Sequence, residues 1–187
     1  MSLREQQNFL AKLYTDEQFR RDFLSEPLKI GAENYLTESE IAEISEMLPE
    51  EISFFAESLL RKRLREVEKF LPLTRKLLGD DFQHFFHKYS QFYNPQTSKK
   101  HLEDAIEFCN FLQKSDSVSE ISKNTAKYER AKLKFYGDGK QLVVCVLSYD
   151  VREISQQSAN KTNINTNKKT KIAIWFRVGK TVKHYFI

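Results

Sequence analysis

The stretch PEEISFFAESLLRKRLREVEKFLP, residues 49–72, constrains the fold more than any other part of the chain. Ile52, Phe55, Leu59, Leu60, Leu64, Val67 and Leu71 recur at steps of three and four, the spacing of one face of an α-helix. Pro49 with Glu50 and Glu51 suits a first helical turn, where a missing N–H costs nothing and carboxylates meet the positive end of the dipole. A helix running to Leu71 spans roughly 33 Å at 1.5 Å per residue, so neighbouring elements must pack along it. Arg61, Lys62, Arg63, Arg65, Glu66, Glu68 and Lys69 fall mostly outside the apolar stripe. The interleaved Glu66 and Glu68 suit ion pairing on a solvated face better than the purer basic stripe of a nucleic-acid helix. Arg61, Arg65 and Lys69 align at four-residue steps and form a candidate docking face for a partner.

Helical signals fill the rest of the first 114 residues. Leu3, Gln6, Leu10 and Leu13 lie near helical spacing. Thr15 with Gln18 reads as a capping box, and Pro27 stops the helix that follows. Thr37 with Glu40 repeats the box before Ile41, Ile44 and Leu48. Pro72 opens a short element, Gly79 suits its C-terminal cap, and Asp80 caps a helix with a Phe82, Phe85, Phe86, Tyr89 and Tyr93 stripe. Asn94-Pro95 is a turn. Thr97 or Ser98 starts a helix with Leu102, Ala105, Ile106, Cys109 and Leu112 inward.

After Lys114 the pattern changes. Residues 115–125 are polar and read as a linker with one short turn. Ala131, Leu133 and Phe135 then alternate with Arg130, Lys132, Lys134 and Tyr136, the period of a strand. The run YGDGKQ reads as a hairpin turn into LVVCVLSY. Residues 155–170 lack an apolar cluster and read as a mobile loop. KIAIWFRV, a Gly-Lys turn and TVKHYFI make a second hairpin. The expected class is α+β: an N-terminal helical bundle over 1–114, a linker over 115–125 and a small antiparallel β domain over 126–187.

Chemistry-bearing motifs are sparse. GxGxxG, P-loop, CxxC-pair and GxSxG patterns are all missing, so no catalytic residue is assigned. His84 and His87, with His101 and Asp80, Asp81 or Glu103, could be imagined as metal ligands. The histidines flank the Phe stripe without a matching second ligand set, and His184 is no better placed, so no metal residue is assigned. Asp80-Asp81 and Glu50-Glu51 sit at expected helix starts, where the dipole accounts for them. Cys109 and Cys145 stand far apart in apolar contexts and read as buried free thiols. No apolar run exceeds a few residues, so no membrane span is expected. The charged MSLREQQNFL start lacks the apolar core of a signal peptide, and the chain reads as cytoplasmic.

Charge is uneven. The net charge is +4, yet residues 155–187 hold seven Lys/Arg and no acid, so an anionic partner is drawn to the C-terminal end. Basic strands bearing aromatics such as Trp175 and Tyr185, read as exposed, suit stacking with single-stranded nucleic acid. They equally suit an acidic peptide added as an extra strand.

KRLREVEKFLPLTRKLLGDDFQHFFHKYSQFYNP, followed by a helix ending in EFCNFL, resembles a bacterial domain family first described as DNA-binding. The shared features are Leu71-Pro72, Leu78-Gly79, Phe82 and Tyr89, and the C-terminal half looks like the β domain that follows in some members. Members include partner subunits of multinuclear non-haem iron oxidative enzymes that modify ribosomally made peptides, as in methanobactin biosynthesis. The resemblance covers about residues 50–187. It implies a non-catalytic partner protein that docks on an iron-dependent peptide-modifying enzyme, with the iron in that enzyme and no cofactor in this chain. It also implies that the β domain receives a precursor (leader) peptide by strand addition, near residues 142–149 or Lys171–Val178. The candidate peptide-binding residues are Val144, Tyr149, Arg152, Lys171, Trp175, Arg177, Lys180 and Lys183. The alternative reading is a nucleic-acid-binding regulator that uses the basic C-terminal strands.

Overall fold

Prolines and caps cut the first 114 residues into helices close to the expected places. The structure is a computed structural model that describes residues 3–95, 99–159 and 166–187. Among them α1 is Leu3–Thr15, α2 Glu17–Ser25, α3 Pro27–Glu33, α4 Glu38–Ser45, α5 Pro49–Phe70, α6 Pro72–Leu78, α7 Asp81–Ser90 and α8 Lys100–Lys114. Pro27, Pro49 and Pro72 each occupy the first position of a helix, as their fixed φ favours. Thr37 and Glu40 form the expected capping box on α4. Gly79, at φ 56°, ends α6 in a conformation that costs an L side chain dearly. The Thr15 box is corrected: Asp16 is the cap of α2, its carboxylate accepting from Phe19 N–H at 2.9 Å, while the Thr15 hydroxyl donates to Ala11 O inside α1. An ionised Asp suits that position better than a hydroxyl. The start expected at Thr97 or Ser98 lies outside the described residues. No described helix is long and apolar enough to cross a membrane.

The chain divides into two units. The first comprises Met1–Arg63 with Ser90–Asn94. Its core is Phe9, Leu13, Phe19, Phe23, Leu36, Ile41, Ile44 and Ile52. Phe9 meets Phe19 and Phe23 edge to face, each at 5.2 Å. On α5 the expected Phe55 is half exposed and Ala56 takes the buried position, although the Phe55 ring still rests edge-on against Tyr14.

The second unit comprises Leu64–Tyr89 and Pro95–Ile187. The α5 stripe continues in it as buried Leu64, Val67 and Leu71. Phe108 of α8 gathers Phe82, Phe86 and Tyr89 of α7 at 5.1–5.4 Å. The Tyr89 hydroxyl donates to the buried Asp104 carboxylate at 2.9 Å.

The largest correction concerns residues 115–137. Glu120–Gly137 form one helix, α9, of 18 residues, not a linker followed by a strand. Ser119 caps it by accepting from Ser122 N–H. Ala131 and Phe135 are buried and lie one helical turn apart, so the apparent alternation is two helical neighbours with Leu133 between them. YGDGKQ joins α9 to a strand, with Gly139 at φ 64°, and is not a hairpin turn. A second correction is α10, Val151–Ala159, which occupies the first part of the expected loop at 155–170. Residues 160–165 of that loop lie outside the described residues.

The sheet is as expected in class: three antiparallel strands, β1 Leu142–Leu147, β2 Lys171–Val178 and β3 Thr181–Phe186, in the order β1-β2-β3. The β2–β3 hairpin turns at Gly179, φ 59°. Thus a helical bundle precedes a small C-terminal antiparallel sheet. The sheet packs one face on α9 and α10: Cys145, Leu147, Ala173 and Trp175 join Ala131, Phe135 and Val151 in one cluster.

Two further buried carboxylates hold parts of this unit together. Glu129 of α9 accepts from the N–H groups of Leu73 and Thr74, at 3.0 and 2.9 Å, and so caps α6. Burial pushes its carboxyl above the usual range, while those two N–H groups pull the other way. Replacing Glu129 by Ala strands the buried Thr74 donor and the half-buried Leu73 donor. We expect a loss of about 1–3 kcal/mol, and a smaller one for Glu129→Gln, which keeps one acceptor and removes the buried charge; urea unfolding compares the two.

Asp150 accepts from the Arg152 backbone and guanidinium, the shorter side-chain contact being 2.8 Å. The Arg152 hydrogen bond holds its carboxyl below the usual range. A depressed carboxyl stabilises the fold above its unfolded pKa of about 4, and that contribution is lost as pH falls through the lower folded value. Asp150→Asn is therefore expected to lower stability at pH 7 and to flatten the acid limb of the stability–pH curve below about pH 4.

Candidate functional site: the open edge and outer face of the sheet

Strand parity decides what each candidate side chain can reach. Successive residues of a strand point to opposite faces. In β2 the odd residues point to the helices: Ala173 and Trp175 are buried, and Lys171 and Arg177 share that side. The even residues Ile172, Ile174, Phe176 and Val178 therefore make the outer face. The β1 partners on that face are Leu142, Val144 and Val146, and β3 contributes Lys183 and Tyr185. Ile187, just beyond β3, exchanges both backbone hydrogen bonds with Ile172 at 2.9 Å. The outer rows thus run Leu142–Phe176–Lys183, Val144–Ile174–Tyr185 and Val146–Ile172–Ile187.

The expected exposed Trp175 is corrected. It is 1% exposed, stacked on His184 at 4.8 Å and in contact with Tyr128 of α9 at 5.3 Å. Indole is the largest apolar surface available to this small core, and burial of that ring outweighs any stacking role. His184, the nearest imidazole, has its pKa lowered by burial and then by the Lys132 and Arg152 charges. Tyr185 is exposed as expected, and its ring stacks on Phe176 at 5.8 Å.

The remaining candidates separate into two groups. Val144, Lys180 and Lys183 are exposed on or beside the outer face. Lys171, Arg177 and Arg152 are held on the helix side. Lys171 Nζ lies 3.9 Å from Asp150. The Arg177 guanidinium lies over the Phe135 ring at 4.9 Å and donates to Lys140 O. Arg152 pairs with Asp150, and its guanidinium lies over the Phe186 ring at 4.4 Å. Tyr149 is half-buried, its backbone fixed by Asn124, which accepts from Ser148 and Tyr149 N–H and donates to Tyr149 O. Strand addition along Lys171–Val178 is also corrected: β2 is the central strand, paired on both sides.

β1 keeps an edge. Arg177 N–H donates to Gln141 O at 3.0 Å, which makes 141/177 a hydrogen-bonded pair. Antiparallel ladders alternate, so Val143, Cys145 and Leu147 turn their backbone groups to β2. Those of Leu142, Val144 and Val146 point to the other side, where no described strand pairs with them. The parity that exposes these backbone groups is written in the register, which a strand sequence alone does not carry.

On α5, Arg61, Arg65 and Lys69 are all exposed. Arg61 pairs with Glu57 at 3.3 Å and Lys69 with Glu66 at 2.6 Å. His84 and His87 are exposed on α7, and His101 Nδ1 is buried. Among the described residues no three His, Cys, Asp or Glu side chains gather as a metal site. Cys109 and Cys145 are buried free thiols, with burial pushing both pKa values up.

Residues 46–114 match the model of one family, the SCO6045-like, C-terminal domain, a family of uncertain function. The match takes in α5 to α8 and stops before the sheet. No curated protein matches the chain.

Proposed function

We propose that this chain is a non-catalytic partner protein that receives a peptide as a fourth strand on β1. The observation that carries the reading is the edge at Leu142, Val144 and Val146, whose backbone groups lack a strand partner among the described residues. An added strand gains main-chain hydrogen bonds there and places alternate side chains beside the exposed apolar row. The three strands contain no carboxylate, while Lys140, Lys180 and Lys183 are exposed near one end, so an acidic peptide is steered to them. The resemblance to partner subunits supplies the second half of the proposal: the helices dock on an iron-dependent peptide-modifying enzyme, with Arg61, Arg65 and Lys69 as the docking face. The iron belongs to that enzyme and the peptide is its ribosomally made precursor.

The acid-free basic sheet also supports a second reading, a nucleic-acid-binding regulator. That reading predicts affinity for single-stranded DNA or RNA that falls steeply with salt, the log–log slope tracking the phosphates contacted. Burial of Trp175 removes one of its two stacking platforms.

Val144→Pro tests the strand reading. Proline deletes the N–H at the centre of the edge, and an edge strand tolerates it. The wild-type chain is expected to co-elute with an iron-dependent oxidase and its precursor peptide. The variant should keep the enzyme but bind the peptide about tenfold more weakly, as loss of about one hydrogen bond implies. Absence of any complex, with or without peptide, rejects the proposal.

A further inference from the structure

The outer face of the sheet is a separate surface from its edge. Leu142, Val144, Val146, Ile172, Ile174, Phe176, Tyr185 and Ile187 form a continuous apolar grid across all three strands. Val144, Tyr185 and Ile187 are 54%, 54% and 67% exposed, although Cys145, Leu147, Ala173 and Trp175 on the opposite face are buried. Contiguous apolar patches of this kind mark interaction surfaces.

Its dimensions and its border select an occupant. Six strand residues at about 3.3 Å each give a length of roughly 20 Å, and two inter-strand spacings of about 4.8 Å give a width of roughly 10 Å. An α-helix is about 10 Å across and covers 20 Å in about 13 residues. Both ends of the grid are basic: Lys140, Lys180 and Lys183 at one, Lys168 and Lys169 at the other, all exposed. The strands offer no carboxylate to balance them. A second copy of the chain, placed face to face, would set lysines against lysines. A nucleic acid would need free ring faces, but six of the eight grid residues are aliphatic, and the two rings, Phe176 and Tyr185, stack on each other.

We propose that this face binds an acidic amphipathic helix of a partner polypeptide, about 13 residues long, with its apolar stripe on the grid and its carboxylates on the flanking lysines. The sheet would then lie between helices on both faces. The inference does not rest on strand addition, because it uses the outward side chains of all three strands rather than the backbone edge of β1.

The test uses the full chain and a labelled, lactam-stapled peptide of about four helical turns, with leucines on one face and glutamates on the other. A lysine-for-glutamate version and an oligo(dT) serve as competitors. The acidic peptide is expected to bind, more weakly as salt rises, and at least tenfold more weakly to the Lys180→Glu/Lys183→Glu chain, whose changes are at exposed positions. Ile174→Lys should abolish binding of the helix and leave strand addition of the precursor peptide at the β1 backbone intact. Equal binding of acidic and basic peptides, tighter binding of oligo(dT), or unchanged binding of the helix by the Ile174→Lys chain overturns the proposal. So does a sedimenting dimer of the chain that Ile174→Lys dissolves.

Discussion

The packing of α9 against the inner face of the sheet is the contact on which the C-terminal part of the molecule depends. A small sheet draws its stability from burying an apolar face, and packing against a helix provides that burial. Here α9 supplies Tyr128, Ala131 and Phe135, and the sheet supplies Cys145, Ala173 and Trp175. Trp175 sits at the middle of the middle strand, against both the Tyr128 and the His184 rings. The same helix reaches the other way through Glu129, whose carboxylate satisfies the free donors at the start of α6. One helix therefore holds both a sheet and a helix start, and its opposite demands, apolar on one side and anionic on the other, explain its mixed composition.

Burying Trp175 fixes the parity of every strand. Once it points inward, Lys171 and Arg177 must share its side, where Asp150 and the Phe135 ring receive them. The residues between them must face outward. The basic character of the C-terminal sequence thus divides into charges that are absorbed by the fold and charges, Lys180 and Lys183 among them, that are left to solvent. A charge count cannot make that distinction, because it depends on register rather than on composition.

The legible parts of the sequence are those with punctuation. Pro49 and Pro72 bracket α5, Thr37 and Glu40 cap α4, and Gly79 closes α6, each through a local backbone preference that tertiary contacts do not overturn. α9 is not legible from its apolar pattern. Ala131, Leu133 and Phe135 satisfy period two, but Ala131 and Phe135 also satisfy the helical step of four, and so short a run cannot separate the two. Propensity does separate them: Ala, Lys, Glu, Arg and Leu dominate 126–134, and β-branched residues are missing from it. The exposure expected for Trp175 fails for a related reason. KIAIWFRV is apolar on both faces, so its alternation carries no information about which face is inside.

A sheet with an open edge and an apolar outer face is prone to associate with copies of itself. Lysines at the ends of such strands oppose that, since two like-charged faces repel and lysine is costly to desolvate. The same lysines leave an acidic polypeptide as the favoured occupant, because it replaces repulsion by attraction without changing the apolar contact. Resistance to self-association and selectivity for a partner then follow from one arrangement. The acids are all confined to residues 1–154, and within the strands a single added carboxylate would weaken both effects at once. The charge asymmetry, seen first as a property of the tail, thus divides between cations that the fold absorbs on the helix side and lysines that border the outer face of the sheet.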